Sequence, residues 1–257
     1  MPISSRELLR STHLSYSKLM SYRQCAHRFK LEYLDECEVS PSREIQLGSV
    51  VHAVLAEYLR AIQGNAAVFE PSIDDLANLL PAVSHRLRED GELTLRIDES
   101  AALQLLENFT TVFPRIDGRT ILHVEAEKRT KLGTYQLKSI LDLVLTNERR
   151  EIHIIDFKTG NPRYVKDDQL RTYSLPILGA SGHNGASVKL SYVFLRDAEI
   201  RSSIMHRHEC KGVVDQIMEM VRTIEQDTEF EPNVTRLCNW CGVRAFCSAY
   251  QERDSGH

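Results

Sequence analysis

Apolar positions along the chain follow two periods. After Ser15, which reads as a helix cap, the segment YSKLMSYRQCAHRFKLEYL carries apolar residues at helical spacing, and GSVVHAVLAEYLRAI does so again beyond Pro41. Two helices are therefore expected to open the chain. Between about Pro71 and Pro114, LANLLPAVSHRL and SAALQLLENFTTVF are also helix-like, with Gly and Pro punctuation and no strand pattern, so a helical insertion is expected over roughly residues 65–118. From Ile121 the period shortens. ILHVEAEKR, YQLKSILDLVL and EIHIIDFKTG are short, rich in branched and aromatic residues, and separated by turn residues at Leu132-Gly133 and Asn147-Glu148. A helix near Asp167 (DDQLRTYSLPIL), a strand (VKLSYVFL), a helical run from Lys211 to Gln226 and a cysteine-bearing tail follow. The pattern predicts an α/β fold in which helices flank a central mixed sheet, with the core over residues 121–200.

Composition narrows this only in part. At 257 residues and 42% hydrophobic content the chain suits one sizeable domain and excludes wholesale disorder. No apolar run reaches the length of a membrane span, and MPISSRELLRSTHL lacks the apolar core of a signal peptide, so a cytoplasmic protein is expected. A net charge of −4 neither favours nor excludes a nucleic-acid partner, because local basic clusters at Arg23 to Lys30, at Lys128 to Lys131, and at Arg163, Lys166 and Arg171 could each face phosphates. Six cysteines in such a chain point to metal or cluster ligation before a disulfide framework.

The most informative segment is EIHIIDFKTG. Strand alternation puts Ile152, Ile154, Asp156 and Lys158 on one face, so an acid and a base project together from the strand end. The preceding strand places Asp142 in an otherwise apolar run, where an uncompensated carboxylate would be costly to bury. Two aspartates converging from adjacent strands can hold Mg²⁺ or Mn²⁺ through oxygen, and a neighbouring lysine can stabilise charge on a phosphoryl group. Taken alone, a D-x-K is common by chance, and each of these residues could equally be an ordinary strand-end side chain.

Five ordered motifs change that balance, and with them the chain resembles the PD-(D/E)xK nuclease superfamily, more closely its RecB-like branch, which includes CRISPR-adaptation exonucleases and the AddB nuclease domain. They are Gly48-Ser49-Val50-Val51-His52 for G-x-x-x-H, the Val124-Glu125 strand, Asp142, Asp156-Phe157-Lys158-Thr159-Gly160 for D-x-K-T-G, and Gln169 with Tyr173 for Q-x-x-x-Y. The resemblance implies a restriction-endonuclease-like fold in a single domain over residues 1–257. It implies Glu125, Asp142, Asp156 and Lys158 as catalytic residues, although Glu127 shares the strand face of Glu125. The metal ligands would be His52, Asp142, Asp156 and the Phe157 carbonyl. Gln169 and Tyr173 would contact substrate or support Lys158, and Arg171 and Lys166 extend the candidate substrate surface. Ser139 stands where the family often has glycine.

Cys238, Cys241 and Cys247 form a C-x-x-C followed by a third cysteine. By the same resemblance Cys25, after Ser15, Ser17 and Tyr22, would complete a [4Fe–4S] cluster clamping residues 236–250 to the 15–35 helix, although four thiolates also suit zinc. Cys37 and Cys210 are expected to be ordinary thiols. The resemblance thus implies an Mg²⁺- or Mn²⁺-dependent DNA exonuclease acting on single-stranded ends, in repair, recombination, phage replication or CRISPR adaptation. The chain has no G-x-x-x-x-G-K-[ST] loop, so unwinding would fall to a helicase or adaptation partner. The competing readings are a non-catalytic DNA-binding scaffold subunit and a zinc-stapled protein without a nucleic-acid role.

Overall fold

The computed structural model describes residues 4–64, 70–116, 120–179 and 186–254, and the edges of the expected insertion at 65–69 and 117–118 lie outside them. In chain order the first elements are α1 (Ser5–Ser11), β1 (Leu14–Ser15), α2 (Tyr16–Gln24), α3 (Ala26–Phe29), α4 (Arg43–Ile62), α5 (Ile73–Glu89), α6 (Glu99–Val112) and β2 (Thr120–Leu132). They are followed by β3 (Tyr135–Thr146), β4 (Ile152–Lys158), α7 (Asp168–Leu178), β5 (Ser187–Phe194), β6 (Glu199–His206), α8 (Cys210–Gln226) and α9 (Ser248–Asp254). Contacts divide the chain into two units, one of residues 1–42, 129–139 and 211–257, the other of residues 43–128 and 140–210.

In the first unit, β1 pairs in parallel with the start of β3 through Leu14 and Leu137. Ser15 caps α2 by accepting the Lys18 amide at 3.1 Å. The helix expected over residues 16–34 does not run through: Cys25 is extended (φ −162°, ψ 113°) and separates α2 from α3. The break has a tertiary cause. Asn233 donates its side-chain amide to the Gln24 carbonyl at 3.0 Å and its backbone N–H to Cys25 Sγ at 3.3 Å. Tyr22, Phe29 and Phe230 pack together, and the Tyr22 hydroxyl donates to Asp227 at 2.7 Å. Burial would raise the Asp227 pKa, but the Phe230 amide, the Tyr22 hydroxyl and the Glu229 amide hold it below the usual carboxylate range.

The second unit carries a mixed sheet. β3 and β4 are antiparallel, β4 and β5 parallel, and β5 and β6 antiparallel. β6 was not expected from the sequence, because only Met205 of EIRSSIMH is buried and an exposed strand leaves no clear apolar alternation. Capped α5 and α6 form with α4 the helical layer anticipated from the sequence. Ser72 accepts the Asp74 amide, and Asp98 accepts the amides of Ser100 and Ala101. Their apolar faces meet those of α4 and the sheet in one core, where Phe109 touches Tyr58, Phe113 and Phe157 with ring centroids 6.3, 4.7 and 5.6 Å apart. Phe157 therefore points into the core, and its strand neighbours Asp156 and Lys158 point away from it.

Two measurements test these arrangements. Phe109→Ala should lower unfolding stability by about 4 kcal/mol in urea titration, since it empties the centre of a buried aromatic cluster. A carboxylate whose folded pKa is depressed stabilises the fold above its unfolded pKa and loses that contribution as pH falls through the folded value. Tyr22→Phe should therefore flatten the acid side of the stability profile, measured by thermal melts between about pH 2 and pH 6.

Candidate metal and catalytic site

The site forms where β3 and β4 part. Their ladder ends with the pair Leu143 and Ile155, so the next residues outward, Asp142 and Asp156, lie at the mouth of the opening. The Phe157 amide donates to Asp142 Oδ2 at 2.8 Å, which satisfies a backbone group left without a ladder partner there and aims the carboxylate. On α4, Gly48 lies one turn before His52. A Cβ at Gly48 would come within 3.0 Å of Thr159 Oγ1, so the missing side chain lets the helix approach the turn after β4.

His52 Nδ1 lies 3.4 Å from Asp142 Oδ2 and 3.9 Å from Glu125 Oε1. One ligand atom from each of His52, Glu125 and Asp142 falls within 4.8 Å of the other two, the one such grouping among the described residues. Glu125 reaches this position through its backbone: φ is +48° within β2, a left-handed conformation that costs about 1–3 kcal/mol for a residue other than glycine. Glu127, which strand alternation would place on the same face, is not part of the grouping.

Asp156 is buried, and its Oδ2 lies 2.6 Å from Lys158 Nζ. Lys158 also donates to Gln169 Oε1 at 2.8 Å, and Gln169 Nε2 donates to the Tyr173 hydroxyl at 3.0 Å. The lysine, glutamine and tyrosine thus form one chain of hydrogen bonds, as the one-turn spacing of Gln169 and Tyr173 on α7 allows. Arg171 instead pairs with Glu209 at 2.9 Å, and the Lys166 side chain is exposed.

Electrostatics show what the cluster could accept. Burial is the largest influence on Asp142 and, with the charges of Asp156 and Glu125, raises its pKa well above the usual carboxylate range, against the attraction of His52 and the Phe157 amide. Burial opposes charge on His52, but Asp142, Glu125 and Asp156 outweigh it and raise its pKa. Negative charge is thus crowded into a poorly solvated place. Imidazole nitrogen and carboxylate oxygens around one point fit a divalent cation, which would relieve that crowding.

Tyr192 is a member of this site that sequence reasoning missed. Its buried hydroxyl donates to the Lys166 carbonyl at 2.8 Å and accepts the Leu170 amide at 3.2 Å, pinning the residues on either side of Gln169, while Lys158 Nζ lies 5.6 Å from its ring centre. The available signal was a tyrosine in the apolar strand VKLSYVFL, since a buried hydroxyl demands a partner.

In the first unit, Cys25, Cys238, Cys241 and Cys247 all line one cavity, with Arg28, Leu31 and Val243 among its other walls. Besides the Asn233 contact, the Thr235 amide donates to Cys238 Sγ at 3.4 Å. No three of the described cysteine sulfurs lie within 4.8 Å of one another. Cys37 and Cys210 are outside this lining.

Comparison with known proteins identifies relatives of the chain and its family. The chain is 24% identical over 204 residues to a component of an ATP-dependent helicase/deoxyribonuclease from Carboxydothermus hydrogenoformans, covering 67% of this chain but only 18% of that much longer protein. Its fold is similar to the crystal structure of a protein assigned as an exonuclease from Eubacterium rectale, with a TM-score of 0.50 and 14% identity over 96% of this chain and 90% of the other. Residues 13–248 match the family model of the PD-(D/E)XK nuclease superfamily. Nearly the whole chain, including every residue of the cluster, lies inside that match, and the chain belongs to the PD-(D/E)XK nuclease superfamily.

Proposed function

We propose that this chain is an Mg²⁺- or Mn²⁺-dependent deoxyribonuclease that removes nucleotides from single-stranded DNA ends. The observation that carries the reading is the convergence of His52, Glu125 and Asp142 beside the Asp156–Lys158 pair. Asp142, Asp156, His52 and the Phe157 carbonyl would hold the cation, with Glu125 completing the carboxylate set. A divalent cation there supplies Lewis-acid neutralisation of the scissile phosphate.

The protein's own groups then have separable tasks. Lys158, held by Asp156 and Gln169, keeps an ammonium where charge grows on the phosphoryl oxygens and can orient the attacking water. Gln169 and Tyr173 restrict the lysine to that position, and Tyr192 restricts Gln169. Lys166 and Arg171 contribute to a substrate surface that neutralises phosphates, so binding is salt-sensitive and weakly sequence-selective. The likeness to a helicase/deoxyribonuclease component supports a helicase partner and a role in DNA processing.

We further propose that Cys25, Cys238, Cys241 and Cys247 hold a [4Fe–4S] cluster. Their shared cavity and the backbone N–H groups directed at two of the sulfurs support this.

On end-labelled single-stranded DNA with Mn²⁺, Asp142→Ala and Lys158→Ala should each cut at least about 100-fold more slowly than wild type, with Lys158→Ala keeping most of its DNA affinity. Cutting at the wild-type rate by both variants would refute the catalytic assignment. Anaerobically purified protein should be brown, with broad absorption near about 400 nm, and Cys241→Ser should lose iron and solubility. Stoichiometric zinc without iron would sink the cluster assignment.

A further inference from the structure

The parallel pairing of β4 with β5 brings the C-terminal ends of both strands to one edge of the sheet. Lys158 stands opposite Phe194, and the Leu195 amide donates to the Lys158 carbonyl at 2.8 Å. The chain beyond each strand therefore emerges beside the catalytic pair. From β4 it enters the 3-10 turn Pro162–Tyr164, and from β5 it turns through Arg196 into β6. These segments and β6 line a depression whose charged residues are Arg163, Arg196 and Arg201, with Asp197 and Glu199.

The three guanidinium groups are differently anchored. Asn161 accepts the Arg163 amide at 2.9 Å, which fixes the turn that presents Arg163. Arg201 lies 5.0 Å from the ring centre of Phe194 and is opposite Tyr192 across β5 and β6. It thus stands two strand spacings, about 10 Å, from the strand bearing Asp156 and Lys158. Glu199 lies 3.8 Å from Arg201. Neither Arg163 nor Arg196 has a salt-bridge partner among the described residues, so two exposed guanidinium groups face the depression without a fixed counter-charge. Guanidinium groups match phosphate oxygens in geometry as well as charge. Tyr164, 83% exposed next to Arg163 on the same turn, offers a ring on which a base can stack.

We infer that the depression lined by Arg163, Arg196 and Arg201 is a second phosphate subsite, which grips the backbone of the nucleic-acid substrate beyond the bond being cut. The inference rests on the nuclease reading above and adds to it a strand path: across the ends of β4 and β5 towards β6. The contact is to the backbone, so it carries affinity and register with no base preference.

The test measures binding of a fluorescein-labelled 20-nucleotide oligothymidylate by fluorescence anisotropy in EDTA, over a salt series. Arg196→Ala/Arg201→Ala should bind at least tenfold more weakly than wild type, with the salt slope shallower by about 1.4, the value for two lost contacts to a single strand. Arg163→Ala should add a further loss. Arg86→Ala, an exposed arginine outside the lining of the depression and paired with Glu57, should bind as wild type does, and circular dichroism melts should show all variants folded. Equal affinity and slope for wild type and the double variant would overturn the subsite. So would no wild-type binding, or competition by millimolar inorganic phosphate as effective as that by unlabelled oligonucleotide, which would mark a free-anion site. Wild-type cleavage of end-labelled DNA with Mn²⁺ is scored separately: its absence would defeat the nuclease reading, whereas cleavage with an unaffected double variant would defeat the subsite alone.

Discussion

At the point where β3 and β4 separate, the Phe157 amide turns from the backbone ladder to the carboxylate of Asp142. An amide in the interior must find an acceptor, and here the acceptor is a side-chain carboxylate. The strands cannot simply close, because Asp142 and Asp156 would meet as like charges across the next position of the ladder. They cannot drift apart either, because the amide would lose its partner. The opening is thus held between a repulsion and a hydrogen bond. His52 enters it from α4, Glu125 from β2, and Lys158 stands at its lip.

This arrangement gives the neighbouring layers definite work. The ring of Phe157 packs against Phe109, so the strand that presents Asp156 and Lys158 is fixed from below by the helical layer. The parallel partner β5 supplies Tyr192, whose hydroxyl secures the start of α7 and so the position of Gln169. Helical insertion, sheet and α7 are therefore parts of one device for placing a few polar atoms at the end of β4.

Much of this was legible in the sequence because the signals were periodic. Alternation in EIHIIDFKTG placed Asp156 and Lys158 together, and the G-x-x-x-H motif singled out Gly48 and His52. Other features left no periodic trace. The helical pattern continues straight through Cys25, and contacts from Asn233 and Glu231, some two hundred residues later, break the helix there. β6 is too exposed to show an apolar alternation, so Arg201 could not be placed beside the site. Alternation alone could not separate Glu125 from Glu127, because the backbone angle that brings Glu125 beside His52 and Asp142 breaks the alternation itself.

That angle sets two demands on one residue against each other. A left-handed conformation in mid-strand is uphill for glutamate and nearly free for glycine. Replacing Glu125 with glycine would therefore relieve the strain and remove the carboxylate in one step.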